Sequence, residues 1–134
     1  MQKFIVLITI VMLAACTPAT EQAAETPEIE VQPSPAPTAA DGGPSAGLYR
    51  ATDASGSVLI EELKPDGTYI FTNEARTVLE QGQWVQKSPA ELCFTANTKA
   101  APETCYREEV RPDGIWVSTR AGTQDTATVE RIER

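Results

Sequence analysis

The sequence predicts an all-β domain, either a small antiparallel β-barrel or a flattened sandwich of about seven or eight strands. From Gly47 onward, short runs of β-prone residues alternate with turn signals at roughly ten-residue spacing. No stretch of this part keeps a helical period for long, and residues 72–81 are the one weak helix candidate. Two nearly identical Pro-Asp-Gly turns further indicate β-hairpins.

Residues 1–15 are typical of a secretory signal peptide. Lys3 supplies a positive charge, and residues 4–13 form an apolar run that only Thr9 interrupts. That run is too short for a membrane-spanning helix, which needs about 20 apolar residues. Residues 13–16, Leu-Ala-Ala-Cys, resemble the lipobox of bacterial lipoproteins. The resemblance implies that the Cys16 thiol receives a diacylglycerol and that a peptidase cuts before it. The alternative is an ordinary signal peptide cut at the same place.

A lipid on Cys16 would hold the mature chain at a membrane. Each buried methylene contributes about 0.8 kcal/mol, so one acyl chain binds marginally and two or three bind almost permanently. In enteric bacteria an Asp after the lipidated cysteine indicates retention at the inner membrane. This chain has Thr17 there, which favours the outer membrane, facing the periplasm, over the inner membrane.

Residues 16–46 are predicted to be a lipidated N-terminus followed by a disordered tether. The stretch 17–46 is rich in Pro, Ala, Thr and Glu, with five acidic residues and no Lys or Arg. It cannot bury enough apolar surface to offset its ordering entropy. A folded domain over residues 47–134 would therefore stand clear of the membrane.

The composition argues against most catalytic chemistry. The net charge of −8 is unfavourable for nucleic-acid binding, and the chain has no histidine. We find no phosphate-binding loop and no metal-ligand spacing, so neither an enzyme nor a cofactor nor a metal is expected. The adjacent pairs Glu61-Glu62 and Glu108-Glu109 are expected to be solvated strand positions beside turns, because neighbours on a strand point to opposite faces.

The cysteines predict one disulfide. If Cys16 carries lipid, Cys93 and Cys105 remain as a pair, and the envelope outside the inner membrane is oxidising. A bridge there would close the loop 98–103 and contribute about 3 kcal/mol in the chain-entropy model.

Eight strands are predicted in the domain. Their ranges are Leu48–Thr52, Ser57–Leu63, Thr68–Asn73, Thr77–Lys87 with a possible break at Gly82, Glu91–Asn97, Thr104–Arg111, Ile115–Arg120 and Thr126–Ile132.

The two hairpin turns have nearly the same sequence. They are Pro65-Asp66-Gly67 and Pro112-Asp113-Gly114. Proline suits the second position of a type I turn, aspartate the third, and glycine the left-handed conformation that follows. The surrounding residues 61–72 and 108–119 are similar at an offset of 47. The repeat is explained either by an ancient duplication or by two hairpins that independently acquired the same favourable turn sequence. In both hairpins an aliphatic residue should face an aromatic one, Leu63 with Tyr69 and Val110 with Trp116.

The apolar residues suffice for one small core and are expected to leave little volume for a large ligand cavity. Gly47-x-Tyr49, Leu63-x-x-Asp66-Gly67-Thr68-Tyr69 and Gly82-x-Trp84 together resemble the small β-barrel domains of bacterial envelope lipoproteins. These include the N-terminal domain of the copper-responsive NlpE-like family and lipocalin-like modules. The Cys-x-x-Cys that follows the first strand in the NlpE-like family is absent here, so copper sensing does not carry over.

These features predict a monomeric, membrane-anchored periplasmic lipoprotein with a non-enzymatic binding or structural role. Its partner would be an envelope protein or a small ligand. One alternative is inhibition of an envelope enzyme such as a lysozyme, through a loop near Ser55 or Thr98; Ser55-Gly56-Ser57 resembles the small-residue loops of lysozyme-inhibitor lipoproteins. Another is a carrier of a small apolar ligand.

Overall fold

The structure, a computed structural model, describes residues 35–133. The signal peptide, Cys16 and most of the predicted tether lie outside these residues. The described part contains eight β-strands. They are β1 (Gly47–Asp53), β2 (Val58–Leu63), β3 (Thr68–Thr72), β4 (Val78–Ser88), β5 (Glu91–Ala96), β6 (Thr104–Val110), β7 (Trp116–Arg120) and β8 (Thr126–Ile132). No helix within residues 35–133 is long and apolar enough to cross a membrane.

The strands form a closed antiparallel barrel. Each strand pairs with the next one along the chain, and β8 pairs with β1. The prediction of an all-β antiparallel barrel is therefore confirmed, and the sandwich alternative is not what the chain forms. The weak helix prediction for residues 72–81 is wrong, because residues 78–81 belong to β4.

Both Pro-Asp-Gly turns close hairpins in the same way. Gly67 and Gly114 have φ angles of 83° and 82°, the left-handed conformation that favours glycine. In each turn the glycine N–H donates to the carbonyl oxygen three residues earlier, at 3.0 Å in the first turn and 2.8 Å in the second. The registers place Leu63 opposite Tyr69 and Val110 opposite Trp116.

Cys93 and Cys105 form a disulfide between β5 and β6. The two residues are direct partners in the strand register, with their Cα atoms 4.0 Å apart. Lys87 on β4 forms an ion pair with Glu103 beside this bridge. The disulfide thus links the two strands of the β5–β6 hairpin one residue pair away from the pair nearest its loop, Phe94 with Thr104.

The folded unit begins earlier than Gly47. Ala39 and Ser45 are buried, with exposed fractions of 4% and 1%. Asp41 accepts two hydrogen bonds of 2.8 Å from the guanidinium of Arg131 on β8. That guanidinium also lies over the Tyr49 ring, 4.9 Å from its centroid. The last part of the predicted tether is therefore packed on one end of the barrel, because hydrogen bonds and an ion pair to Arg131 compensate for the apolar surface that it lacks.

Candidate functional site

The barrel encloses a cavity of about 420 Å³. The expectation that the core leaves little room was wrong. Small residues on the inner wall, among them Ala51, Ala127 and Ser118, leave space that larger side chains would have filled. Most of the wall is apolar. Its aromatic and larger aliphatic members are Tyr49, Val58, Leu59, Leu63, Phe71, Leu79, Leu92, Phe94, Tyr106, Trp116 and Val129.

The cavity has a floor at one end of the barrel and a mouth at the other. Ala39, in the segment that precedes β1, lines the cavity at the floor. The exposed polar residues that line it belong to the opposite end, where β1 and β7 finish. Those residues are Asp53, Ser57, Arg120, Asp125 and Thr126. The chain thus forms a cup closed by residues 37–46.

Tyr49 connects the floor to the barrel wall. Its hydroxyl donates to the backbone carbonyl of Ser45, at 2.7 Å. Its ring meets the Trp116 ring edge-on, with centroids 5.6 Å apart. The preceding segment is therefore fixed to the aromatic lining of the cavity as well as to Arg131.

Two glutamates project into this interior. Glu61 on β2 is paired with Tyr49 on β1 and with Phe71 on β3, so these three side chains share the inner face. Glu108 on β6 is paired with Ser118 on β7. Since β2 and β6 are four strands apart in a ring of eight, the two carboxyl groups face the cavity from opposite walls.

The Glu108 carboxylate has two hydrogen-bond donors. The Ser118 hydroxyl donates to one oxygen at 2.7 Å, and the Trp116 indole N–H donates to the other at 2.5 Å. Burial raises the pKa of Glu108 above its ordinary value, and these two hydrogen bonds act in the opposite direction. The site therefore holds Glu108 in one orientation.

The Glu61 carboxyl has no such donors. No residue within 35–133 forms a hydrogen bond or an ion pair with it. The carboxyl group lies inside the barrel, and its remaining accessible surface faces the cavity rather than the outside of the protein. Burial first, and then the charge of Glu108, raise the pKa of Glu61 to about 8. Glu61 is therefore largely protonated at neutral pH in the empty cup.

The expectation that Glu61 and Glu108 are solvated was wrong. The strand alternation contained the signal that corrects it. Glu61 lies two residues before Leu63, a core residue, and so shares its face. Glu108 occupies the same place in the second copy of the repeat. Only Glu62 and Glu109 of these pairs point away from the interior.

The two loops considered for enzyme inhibition lie outside the cavity wall, and the cysteines of the possible metal cluster are bonded to each other. Ser55 is in the tight β1–β2 turn, where its backbone N–H and hydroxyl both donate to Asp53, at 2.8 and 2.6 Å. The loop from Thr98 joins β5 to β6 at the same end of the barrel. The one metal-compatible cluster of the described residues consists of Glu91 with Cys93 and Cys105, whose sulfurs are bonded to each other.

The fold and the cavity together define a class of protein, a closed eight-stranded barrel with an internal cavity that opens at one end. Comparison of the chain with protein-family models, with curated proteins and with solved structures finds no match to it.

Proposed function

We propose that this protein is a lipid-anchored binding protein of the bacterial cell envelope that holds a small, largely apolar molecule inside its barrel. The observation that carries the proposal is the cup of about 420 Å³. This volume lies in the ordinary range of small-molecule sites, about 300–1,000 Å³. Aromatic and aliphatic walls with a few converging polar groups are the usual composition of such sites. The role is binding rather than catalysis.

The anchor gives the proposal its location. Leu13-Ala14-Ala15-Cys16 would attach the chain to the outer membrane, and the following acidic, proline-rich residues would let the barrel reach into the periplasm. The likeness to envelope lipoprotein barrels, drawn from the sequence, agrees with this placement. An anchored cup could hold an apolar molecule next to the membrane from which such a molecule partitions.

The anchor is tested with the full-length gene expressed in a Gram-negative bacterium. We expect the chain to incorporate radiolabelled palmitate and to fractionate with the outer membrane. Cys16→Ala should abolish the label, because the thiol is the acylated group. Cys93→Ala is the matched control and should keep it. Labelling of the Cys16→Ala chain would contradict the lipoprotein assignment.

The cup is tested with N-phenyl-1-naphthylamine, a neutral apolar probe that becomes fluorescent when it leaves water. The protein is the chain from residue 16 with Cys16→Ser, exported to the periplasm so that the disulfide can form. We expect saturable binding at one site per chain. Ala127→Trp should reduce the affinity at least about tenfold, because the indole would occupy the cavity.

Val85→Trp is the control, since Val85 is 53% exposed and does not line the cavity. Circular dichroism verifies that both variants fold. Equal binding by wild type and a folded Ala127→Trp variant would mean that the probe does not enter the cup. Native mass spectrometry of wild type should show a monomer that carries a bound small mass when purified from its own cells. A ligand-free protein that turns over a substrate, or that binds no probe, would overturn the proposal.

A further inference from the structure

We propose that the ligand of this cup is an organic cation, an apolar molecule with a protonated amine that lies between Glu61 and Glu108. This inference rests on the proposed function and names the chemical class of its ligand. Four observations carry it: the sign of the charges that line the cavity, the missing partner of Glu61, the aromatic wall around both carboxyl groups, and the apolar volume that remains between them.

The charges that line the cavity are predominantly negative. Four acidic residues line it, and the one basic residue in the same lining is Arg120 at the mouth. The acids are Asp53, Glu61, Glu108 and Asp125. Neither interior glutamate forms an ion pair with a described residue. The acidic residues at the mouth and the charge of Glu108 therefore favour a cation over an anion, and Glu61 adds a further negative charge once it loses its proton.

The missing partner of Glu61 points to a ligand group. The Glu61 carboxyl faces the cavity and has no hydrogen-bond partner among residues 35–133, and an ionised carboxylate that is largely desolvated is costly without a partner. Glu108 is already satisfied by Trp116 and Ser118. Glu61 faces the same space with both oxygens unused, so an ammonium group could donate to it and also interact with the charge of Glu108.

The surrounding wall suits an organic cation. Phe71 and Tyr49 flank Glu61, and Trp116 adjoins Glu108. Aromatic faces attract cations most strongly where water is excluded. A bare metal ion fits poorly, because Ca²⁺ and Mg²⁺ need about six or more oxygen ligands at short distance. Two carboxyl groups on opposite walls of an apolar cavity do not provide them. The apolar volume must be filled by the body of the ligand.

Proton exchange gives the proposal a signature. Because burial and the Glu108 charge raise the pKa of Glu61 to about 8, a cation that binds at pH 7 must displace its proton. The other ionisable groups that face Glu61 are Tyr49 on β1, Tyr106 and Glu108 on β6, and Arg120 on β7. The pKa values of both tyrosines are raised from 10 by burial, so these groups do not titrate near neutral pH. The affinity for the cation should therefore increase by up to tenfold for each unit by which the pH is raised towards 8, and it should level off above pH 8.

The experiment uses three probes that share one aromatic body and differ in charge. They are 1-naphthylmethylamine, the cation; 1-naphthalenemethanol, the neutral analogue; and 1-naphthoic acid, the anion. Calorimetry with the Cys16→Ser chain from residue 16 should give the amine at least a tenfold affinity advantage over the alcohol at pH 7.5. The acid should bind weakest. Amine binding should release close to one proton at pH 7, measured as a dependence of the heat on the ionisation enthalpy of the buffer.

Glu61→Gln is the decisive variant, because it keeps the shape of the side chain and removes its charge. It should lower the affinity for the amine about tenfold, abolish the proton release and leave the alcohol within about twofold. Glu109→Gln removes the same unit of charge from an exposed position of β6 and should behave as wild type. Circular dichroism shows that both fold.

The outcomes separate this inference from the proposed function. If the amine binds no tighter than the alcohol, or if Glu61→Gln leaves its advantage intact, the ligand is not a cation held by these carboxyl groups. In that case N-phenyl-1-naphthylamine still fills the cup, and the binding function stands. If that probe also fails to bind, the proposed function itself is overturned.

Discussion

Gly82→Ala is expected to destabilise the barrel by about 4 kcal/mol or to prevent it from folding, a cost at the upper end of single substitutions. A Cβ atom at this position would lie 2.1 Å from the carbonyl oxygen of Thr95 and 2.9 Å from the Cα of Ala96. Both atoms belong to the backbone of β5, which cannot rotate away as a side chain can. Gly82 is paired with Tyr69 on β3 and with Ala96 on β5, so any displacement would disturb two strand pairs.

Urea denaturation of the purified variants measures this effect. Gly47→Ala is the matched control, because Gly47 is also a strand glycine. Its added Cβ would approach a terminal guanidinium nitrogen of Arg131 at 2.9 Å, which is the end of a side chain rather than backbone. Because that guanidinium also holds Asp41 and the Pro44 carbonyl, we expect the control to cost about 1–2 kcal/mol, well below the cost of Gly82→Ala. A free energy of unfolding for Gly82→Ala within 1 kcal/mol of wild type would show that β5 has room to shift.

Gly82 also illustrates what local sequence can and cannot predict. Strand ranges followed from β-prone runs and turn residues, and the structure agrees with each range to within about one residue. The same local logic suggested a possible break of β4 at Gly82, whereas β4 runs unbroken from Val78 to Ser88. The glycine is required by the close approach of β5, a contact that does not appear in the residues around it.

The cup was missed for a similar reason. A count of apolar residues estimates how much core there is, but not where the small ones fall on a closed wall. The packed segment before β1 was missed because its main partner, Arg131, lies 90 residues from Asp41 in sequence. Glu61 and Glu108 could have been placed inside by strand alternation. Their hydrogen bonding could not be predicted in this way. The Glu108 carboxylate has two donors and the Glu61 carboxyl has none, and this difference depends on which side chains the neighbouring strands bring beside each glutamate.

Glu61 is expected to make the protein more stable at pH 5 than at pH 8. In the folded state, burial and the charge of Glu108 raise the pKa of Glu61 to about 8. In the unfolded chain a glutamate loses its proton near pH 4.3. Between these values the folded state binds one proton more than the unfolded state, so the free energy of unfolding falls as pH rises. One proton corresponds to about 1.4 kcal/mol per pH unit, or at most about 4 kcal/mol from pH 5 to pH 8.

Denaturation curves between pH 5 and pH 8.5 test this for wild type and Glu61→Gln. The variant should have a slope smaller by nearly one proton and should be more stable than wild type at pH 8. Glu108 contributes in the same direction, since burial also raises its pKa, so some slope should remain. Asp41 does not interfere, because its hydrogen bonds to Arg131 lower its pKa and its stabilising effect is lost only in more acidic solution. Glu109→Gln should keep the wild-type slope.

The pH dependence and the ligand proposal meet in the same carboxyl group. At pH 8 the folded protein must either keep a proton on Glu61 or hold an ionised carboxylate without a partner, and a bound ammonium group would remove this cost. Saturating 1-naphthylmethylamine should therefore reduce the stability loss of wild type between pH 6 and pH 8 and should have no such effect on Glu61→Gln. Identical slopes for wild type and Glu61→Gln without ligand would mean that Glu61 is already ionised in the folded cup. An amine effect that persists in Glu61→Gln would place the cation elsewhere.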